Sequence, residues 1–159
     1  MVYRRRNLMK IHLLAIGKQI PEWAEHGIES YVKRFHMIQF TSTVLDEKVT
    51  KHMTEQQVMV KENQKLLSHI PDNTFVIALD KRGQLWNTEQ LTKNLSEQNQ
   101  KITLVIGGTT GLNESLLKRA DKIWSLSNLV LPHALARVVV VEQLYRSQSI
   151  LTNHPYHRA

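Results

Sequence analysis

The chain has 159 residues, 42% of them hydrophobic, with no cysteine and a formal net charge of +7. A chain of this length forms one domain that buries about two-thirds of its unfolded surface, so its stability does not depend on a disulfide or metal. The lack of cysteine excludes thiol nucleophiles and thiolate metal sites and predicts a reducing, cytoplasmic location, and no apolar run approaches the ~20 residues of a membrane span.

Part of the positive charge lies at the N-terminus. Residues 1–8 include Arg4, Arg5 and Arg6, and Met9 begins an apolar run that resembles a natural start. We therefore predict that residues 1–8 are an extension outside the fold and that residues 9–159 form a single domain. Without the extension, 18 basic against 14 acidic side chains leave a net charge of +4. This excess favours an anionic partner, although many proteins that bind no nucleic acid are equally basic.

Strands and helices are predicted to alternate along the chain. Short apolar or β-branched runs predict strands at 10–16, 38–45, 74–79, 102–106 and 122–126. Helical spacing and end signals predict helices that begin near Pro21, Thr54, Thr88, Asn113 and Pro132. Turns are predicted at 71–73 and 81–83.

Two of the helices have unusual patterns. The second helix carries only a broken apolar stripe of Val58, Met59, Leu66, Leu67 and Ile70, which predicts partial exposure. The last helix, which follows Pro132 and runs to Leu151, contains a β-branched run typical of a strand, but its length and the absence of Gly and Pro favour a helix. It is apolar around most of its girth, which predicts burial on more than one side and a dimer interface.

This alternation predicts an α/β fold with a mainly parallel sheet and helices on both faces. Ligands of such folds bind at the carboxyl ends of the strands. The predicted pocket is therefore built from three loops, which follow the third, fourth and fifth strands at Leu79-Asp80, Gly107-Gly108 and Ser127-Asn128.

Two of these loops have features of ligand sites. Gly107, Gly108 and Gly111 allow close approach to main-chain donors, although a tight strand-to-helix turn explains them equally well. The loop from Ser127 to Pro132 combines backbone polar groups with Leu129, Val130 and Leu131, which suit an adenine-like ring, but taken alone it reads more readily as an ordinary core loop.

The C-terminal tail offers polar and aromatic side chains. His154 and His157 lack further metal ligands nearby and Pro155 disfavours a helix that would align them, so no metal is expected. Tyr156 suits stacking on a base while His157 and Arg158 suit phosphate contacts; the ordinary alternative is a frayed terminus. On the preceding helix, Glu142 and Arg146 have the spacing of a surface ion pair, and Arg137 reads as a solvated side chain.

Together these segments resemble the RlmH family, the ribosomal RNA large-subunit pseudouridine methyltransferases of the SPOUT class. The resemblance runs from about Met9 to the C-terminus. It is carried by these segments: Leu14-Ala-Ile-Gly-Lys18, Pro21-Glu-Trp23, Val105-Ile-Gly-Gly108, Gly111-Leu112, Trp124-Ser-Leu-Ser127, Leu131-Pro-His133, Arg137-Val138, Glu142-x-Leu-Tyr-Arg146 and Asn153-His-Pro-Tyr-His-Arg158. Residues 1–8 have no counterpart in the family, and Thr109-Thr110 departs from its usual glycine loop.

The resemblance implies a SPOUT-type fold with a C-terminal trefoil knot, a homodimer, and methylation of the N3 ring nitrogen of a pseudouridine in 23S ribosomal RNA with S-adenosylmethionine as cofactor. By position, the cofactor residues would be Leu79, Gly107, Gly108, Ser127, Asn128, Leu129, Val130, Leu131 and Pro132. The candidates for catalysis or substrate positioning are His133, Arg137, Tyr156, His157 and Arg158, the tail acting from the facing subunit.

Two other functions are compatible with parts of the sequence. A noncatalytic RNA-binding or ribosome-associated module explains the charge and the tail but leaves the two loops unexplained. A flavodoxin-like nucleotide domain would place a phosphate-binding loop after the first strand, where Gly17-Lys-Gln-Ile20 offers little. Binding of S-adenosylmethionine distinguishes the methyltransferase from both.

Overall fold

Strands and helices alternate in the computed structural model, which describes residues 8–17 and 20–158. The strands are β1 Met9–Ile16, β2 Ile38–Leu45, β3 Phe75–Leu85, β4 Ile102–Ile106 and β5 Lys122–Ser125. The helices are α1 Glu22–Val32, α2 Glu55–Ser68, α3 Thr88–Ser96, α4 Glu114–Arg119 and α5 His133–Leu151. Residues 1–7 of the predicted extension lie outside the described residues.

The strands form one sheet in the order β2-β1-β4-β3-β5, and every neighbouring pair is parallel. The predicted parallel α/β fold is therefore confirmed. Parallel sheets are covered on both faces, which explains why β4 is buried at every position and apolar at all but Thr103.

The two faces of the sheet carry separate hydrophobic clusters. On one face, Leu13 and Leu104 pack with Leu95 of α3 and Leu144 of α5. On the other face, the alternate strand residues pack with side chains of α2 and α4. Helix α1 packs against α5. Because strand side chains point alternately to the two faces, one apolar strand supplies both clusters.

Polar residues define where three helices begin. The side chain of Asn113 accepts a hydrogen bond from the backbone N–H of Leu116, so the predicted start of α4 is confirmed. Thr54 caps α2 in a reciprocal arrangement with Gln57. Helix α3 begins at Thr88 as predicted, and the preceding Asn87 caps it in a reciprocal arrangement with Gln90.

The predicted turn at residues 81–83 is wrong. Strand β3 continues to Leu85, and both Leu79 and Gln84 are paired with Trp124 of β5, so the intervening residues form an irregular bulge within the strand. Pairing resumes at Leu85 opposite Ser125. Lys-Arg-Gly is typical of a turn in local sequence, but pairing with β5 overrides that preference.

The predicted last helix is confirmed as α5, and it is buried on several sides within its own chain. Buried polar groups on it are hydrogen-bonded: the side-chain oxygen of Gln148 accepts from the backbone N–H groups of His36 and Met37, both at 2.9 Å. Among the described residues, no helix is long and apolar enough to cross a membrane.

Candidate functional site

A cavity of about 930 Å³ opens at the carboxyl ends of β3, β4 and β5, where the three predicted loops meet. Its size is within the usual range for small-molecule sites. Of the nine residues assigned to the cofactor by resemblance, eight line it: Leu79, Gly107, Gly108, Ser127, Asn128, Leu129, Val130 and Leu131. The ninth, Pro132, does not line the cavity and instead occupies the N-cap position of α5.

The glycine loop, residues 107–111, leaves β4 and forms one wall. A Cβ on Gly108 would lie 2.5 Å from the Oε2 atom of Glu62, so any side chain there would displace that carboxylate. Gly111 has a φ of +83°, a conformation that side chains rarely adopt. The N–H of Gly111 donates to the carbonyl oxygen of Gly108 at 3.0 Å, which closes the turn. The structure therefore explains why both positions are glycine.

The bulge of β3 supplies the opposite wall. The guanidinium of Arg82 donates to both carboxylate oxygens of Asp80, at 2.7 and 3.0 Å, and to the carbonyl oxygen of Leu112 at 2.7 Å. Burial raises the pKa of Asp80, but the hydrogen bonds and charge of Arg82 outweigh it and lower that pKa. Arg82 thus links the bulge of β3 to the loop that follows β4. The predicted turn at residues 81–83 gave no indication of this role.

The apolar loop, residues 126–132, forms the third wall. Ser127 accepts a hydrogen bond from the N–H of Leu129 at 2.9 Å, which shapes the turn. The side chains of Leu129 and Val130 are 75% and 97% exposed. Large apolar side chains exposed beside a cavity are typical of a ligand or partner site rather than of the core loop that local sequence favoured. Trp124, stacked on Trp86 with ring centroids 5.7 Å apart, lines the floor.

The two candidates on α5 lie in different environments. His133 lines the cavity. Arg137 does not line it and is only 3% exposed, so its interpretation as a solvated side chain is wrong. Its Nε and Nη1 atoms have no hydrogen-bond partner among the described residues, and burial lowers the pKa of its guanidinium. Burying a cation costs free energy of folding unless hydrogen-bond acceptors pair with its N–H groups.

The tail folds back on the helices rather than fraying. The hydroxyl of Tyr156 donates to the carboxylate of Glu142 at 2.9 Å, and its ring packs edge-on against Tyr145. Burial and these hydrogen bonds raise the pKa of Tyr156. His157 lies 3.3 Å from the carboxylate of Glu89. Arg158 is exposed.

Glu142 and Arg146 form the predicted ion pair, at 2.6 Å, but the pair is not simply on the surface. Both side chains are mostly buried, and the hydrogen bonds that Arg146 donates to Glu142 raise the pKa of Arg146. The guanidinium of Arg146 lies 4.7 Å from the centroid of the Tyr156 ring. The pair is thus part of the network that docks the tail, which spacing alone does not show.

Within one chain the tail and the cavity are far apart. His133 at the cavity begins α5, and the tail follows its other end at Leu151. A helix of 19 residues is roughly 28 Å long. The structure therefore brings eight of the cofactor candidates and His133 together at one cavity and leaves Tyr156, His157 and Arg158 outside it.

A family model described as "Predicted SPOUT methyltransferase" matches residues 9–157. The chain belongs to this family. It is 40% identical over 159 residues to the ribosomal RNA large subunit methyltransferase H of Coxiella burnetii, a match that covers 94% of this chain and 100% of the relative. The enzyme of the same name from Saccharophagus degradans is 39% identical over 156 residues, with 94% and 100% covered.

Solved structures show the same fold at low sequence identity. A probable methylase family protein from Haemophilus influenzae superposes with a TM-score of 0.55 at 15% identity, covering 92% of this chain and 67% of that chain. A methyltransferase from Legionella pneumophila, solved with the bound cofactor SAM, gives a TM-score of 0.52 at 13% identity, with 91% and 68% covered. The family match favours a methyltransferase over the flavodoxin-like and noncatalytic alternatives.

Proposed function

We propose that this chain methylates the N3 nitrogen of a pseudouridine in large-subunit (23S) ribosomal RNA, with S-adenosylmethionine as the methyl donor and cytoplasmic ribosomes as the substrate. The observation that carries the proposal is the cavity at the ends of β3, β4 and β5, lined by eight of the nine cofactor candidates in a chain that belongs to a methyltransferase family. The names of its relatives supply the substrate class.

The residues of the cavity suit this cofactor. Gly108 leaves backbone rather than a side chain facing the ligand, since any Cβ would meet Glu62. Exposed Leu129 and Val130 offer apolar surface for an adenine ring, beside a turn that presents backbone polar groups. The bound cofactor would supply an already activated methyl group. The tasks left to the protein are to align the reacting atoms and to assist loss of the N3 proton.

The substrate-facing groups belong to two places in one chain, which favours a composite site in a homodimer. His133 lies at the cavity, while Tyr156, His157 and Arg158 follow the far end of α5. A second copy packed in the opposite direction would bring its tail to this cavity. The unpaired nitrogens of Arg137 suit an acceptor from RNA or from that second copy. The trefoil knot and the single domain over residues 9–159 stay predictions from the family resemblance.

Calorimetry with S-adenosylmethionine tests the cavity directly. Gly108→Trp forces a side chain against Glu62, which displaces the glycine loop from its place in the cavity wall, and should abolish binding while the circular dichroism spectrum stays native. Unchanged affinity would refute the cofactor assignment. The matched control is Gln64→Trp, which places a tryptophan at an exposed position of α2. Gly27→Trp would not serve, because Gly27 faces Val138 of α5.

Complementation tests the composite site. A protein truncated after Leu151 and the Gly108→Trp protein should each be inactive on ribosomes. If the tail acts across a dimer, a refolded mixture should recover about a quarter of wild-type activity, because half the dimers are mixed and each has one intact site. Full activity of the truncated protein would remove the tail from the mechanism, and no recovery in verified mixed dimers would place it in its own subunit.

A further inference from the structure

We propose that Glu62 and Asn63 of α2 are positioning residues that hold the glycine loop in the conformation that binds the cofactor. The inference rests on the proposed function, because it takes the glycine loop to be part of the cofactor site. Both residues are buried, with Asn63 0% and Glu62 7% exposed. Neither lines the cavity.

The side chain of Asn63 ties the two ends of one loop segment together. Its Nδ2 donates to the carbonyl oxygen of Gly111 at 3.1 Å, and its Oδ1 accepts from the backbone N–H of Asn113 at 3.1 Å. The second amide hydrogen is directed to the carbonyl oxygen of Met59 at 2.8 Å, which fixes the side chain to its own helix. Both amide hydrogens and the side-chain oxygen of Asn63 are therefore hydrogen-bonded, which is why an amide suits this position.

Glu62 supports the middle of the same loop. Its Oε1 accepts a hydrogen bond from the hydroxyl of Thr110 at 3.1 Å. The carboxylate also lies directly behind Gly108, since a Cβ there would be 2.5 to 3.0 Å from its atoms. The hydroxyl of Thr110 is thus a contact between the loop and α2. Neighbouring residues of one helix therefore hold the loop at Gly108, Thr110 and Gly111.

The residue pattern of α2 supports a positioning role for Glu62 and Asn63. Val58, Met59, Leu66 and Leu67 have helical spacing with a gap at positions 62 and 63, where Glu and Asn stand. Buried polar side chains are retained where they have specific partners, and the partners here are the loop atoms. The gap in the apolar stripe is thus the place where the glycine loop docks.

Two variants of the full-length protein test the inference, with calorimetry for S-adenosylmethionine and steady-state kinetics on ribosomes. Asn63→Asp keeps the shape and the acceptor for Asn113 but loses the donors to Gly111 and Met59. Glu62→Met removes the carboxylate that accepts from the hydroxyl of Thr110 and leaves the cavity lining unchanged. Asn94→Asp is the matched control, because the amide of Asn94 makes the same helical bond, to the carbonyl oxygen of Gln90, but is in α3.

Asn63→Asp should raise the Kd and KM for S-adenosylmethionine roughly tenfold and Glu62→Met about threefold, the range expected for one hydrogen bond. The kcat at saturating cofactor and the KM for ribosomes should stay within about twofold of wild type. A general loss of structure would lower kcat as well. Asn94→Asp should leave all three constants unchanged.

A natively folded Asn63→Asp protein with wild-type cofactor affinity would overturn the inference. If that variant does not fold, unchanged affinity of Glu62→Met overturns it. Failure of the proposed function gives a different result, because the wild-type protein itself would then not bind S-adenosylmethionine. Binding by the wild type that is lost in Gly108→Trp but normal in both α2 variants contradicts only the role of α2.

Discussion

Gly83 lies where the backbone of β3 runs too close to that of β5 to leave room for a side chain. A Cβ added there would lie 2.5 Å from both the carbonyl carbon and oxygen of Ile123 and 2.7 Å from the backbone nitrogen of Trp124. These neighbours are backbone atoms, which cannot rotate away as a side chain would. Gly83→Ala should therefore force the two strands apart at the bulge that carries Arg82.

The expected magnitude follows from the nature of the contact. Overpacking a well-packed region costs about 1–3 kcal/mol, and a backbone clash lies near the upper end of that range. Gly27→Ala is the matched control, because its Cβ would lie at an ordinary 3.5 Å from Val138. Gly27 is in the interior of α1, where alanine is favoured over glycine by about 0.5–1 kcal/mol.

Urea denaturation at one fixed protein concentration measures both free energies of unfolding. The midpoint should fall for Gly83→Ala and rise or stay level for Gly27→Ala, with equal slopes. Cofactor affinity should also fall in Gly83→Ala, because the bulge forms one wall of the cavity. A Gly83→Ala protein with a wild-type midpoint would refute the close approach of β3 and β5.

Three further predictions concern buried charge and hydrogen bonds. Arg137→Met should raise the free energy of unfolding by about 1–3 kcal/mol, because it removes a buried guanidinium that has two unpaired nitrogens among the described residues, while activity on ribosomes falls; lower stability would contradict this. Tyr156→Phe loses the bond to Glu142, which should speed hydrogen exchange in the tail about tenfold, and unchanged exchange would show that the bond does not hold it. The ion pair of Asp80 with Arg82 lowers the pKa of Asp80, so its stabilisation is present above the ordinary value of 3.8 and is lost as the pH falls through the folded-state pKa; the difference in Tm between wild type and Asp80→Asn should shrink below pH 3.8, and a constant difference would argue against it.

Sequence patterns located the cavity but missed part of its support. Strand-end glycines and a polar-apolar loop are local signals, and the three loops do meet at one cavity. The contribution of α2 has only an indirect signal, the gap at Glu62 and Asn63 in an otherwise regular stripe. The broken stripe predicted a partly exposed helix, which the structure confirms, but it did not show that Glu62 and Asn63 are buried against the glycine loop. A partner 48 residues away along the chain cannot be inferred from helical spacing.

The sequence by itself determined the α/β architecture and the bounds of β2 and β4. Strand β4 is buried on both faces and is therefore apolar or β-branched throughout, whereas the edge strand β2 is marked by its enrichment in β-branched and aromatic residues. It also carried the family resemblance, and with it the expected chemistry. Only the tertiary structure decided that β3 runs through the bulge at Gly83, that Arg137 is buried, and that the tail docks through Glu142. Each of these depends on a contact between distant segments, whose energy outweighs the local preference of the chain.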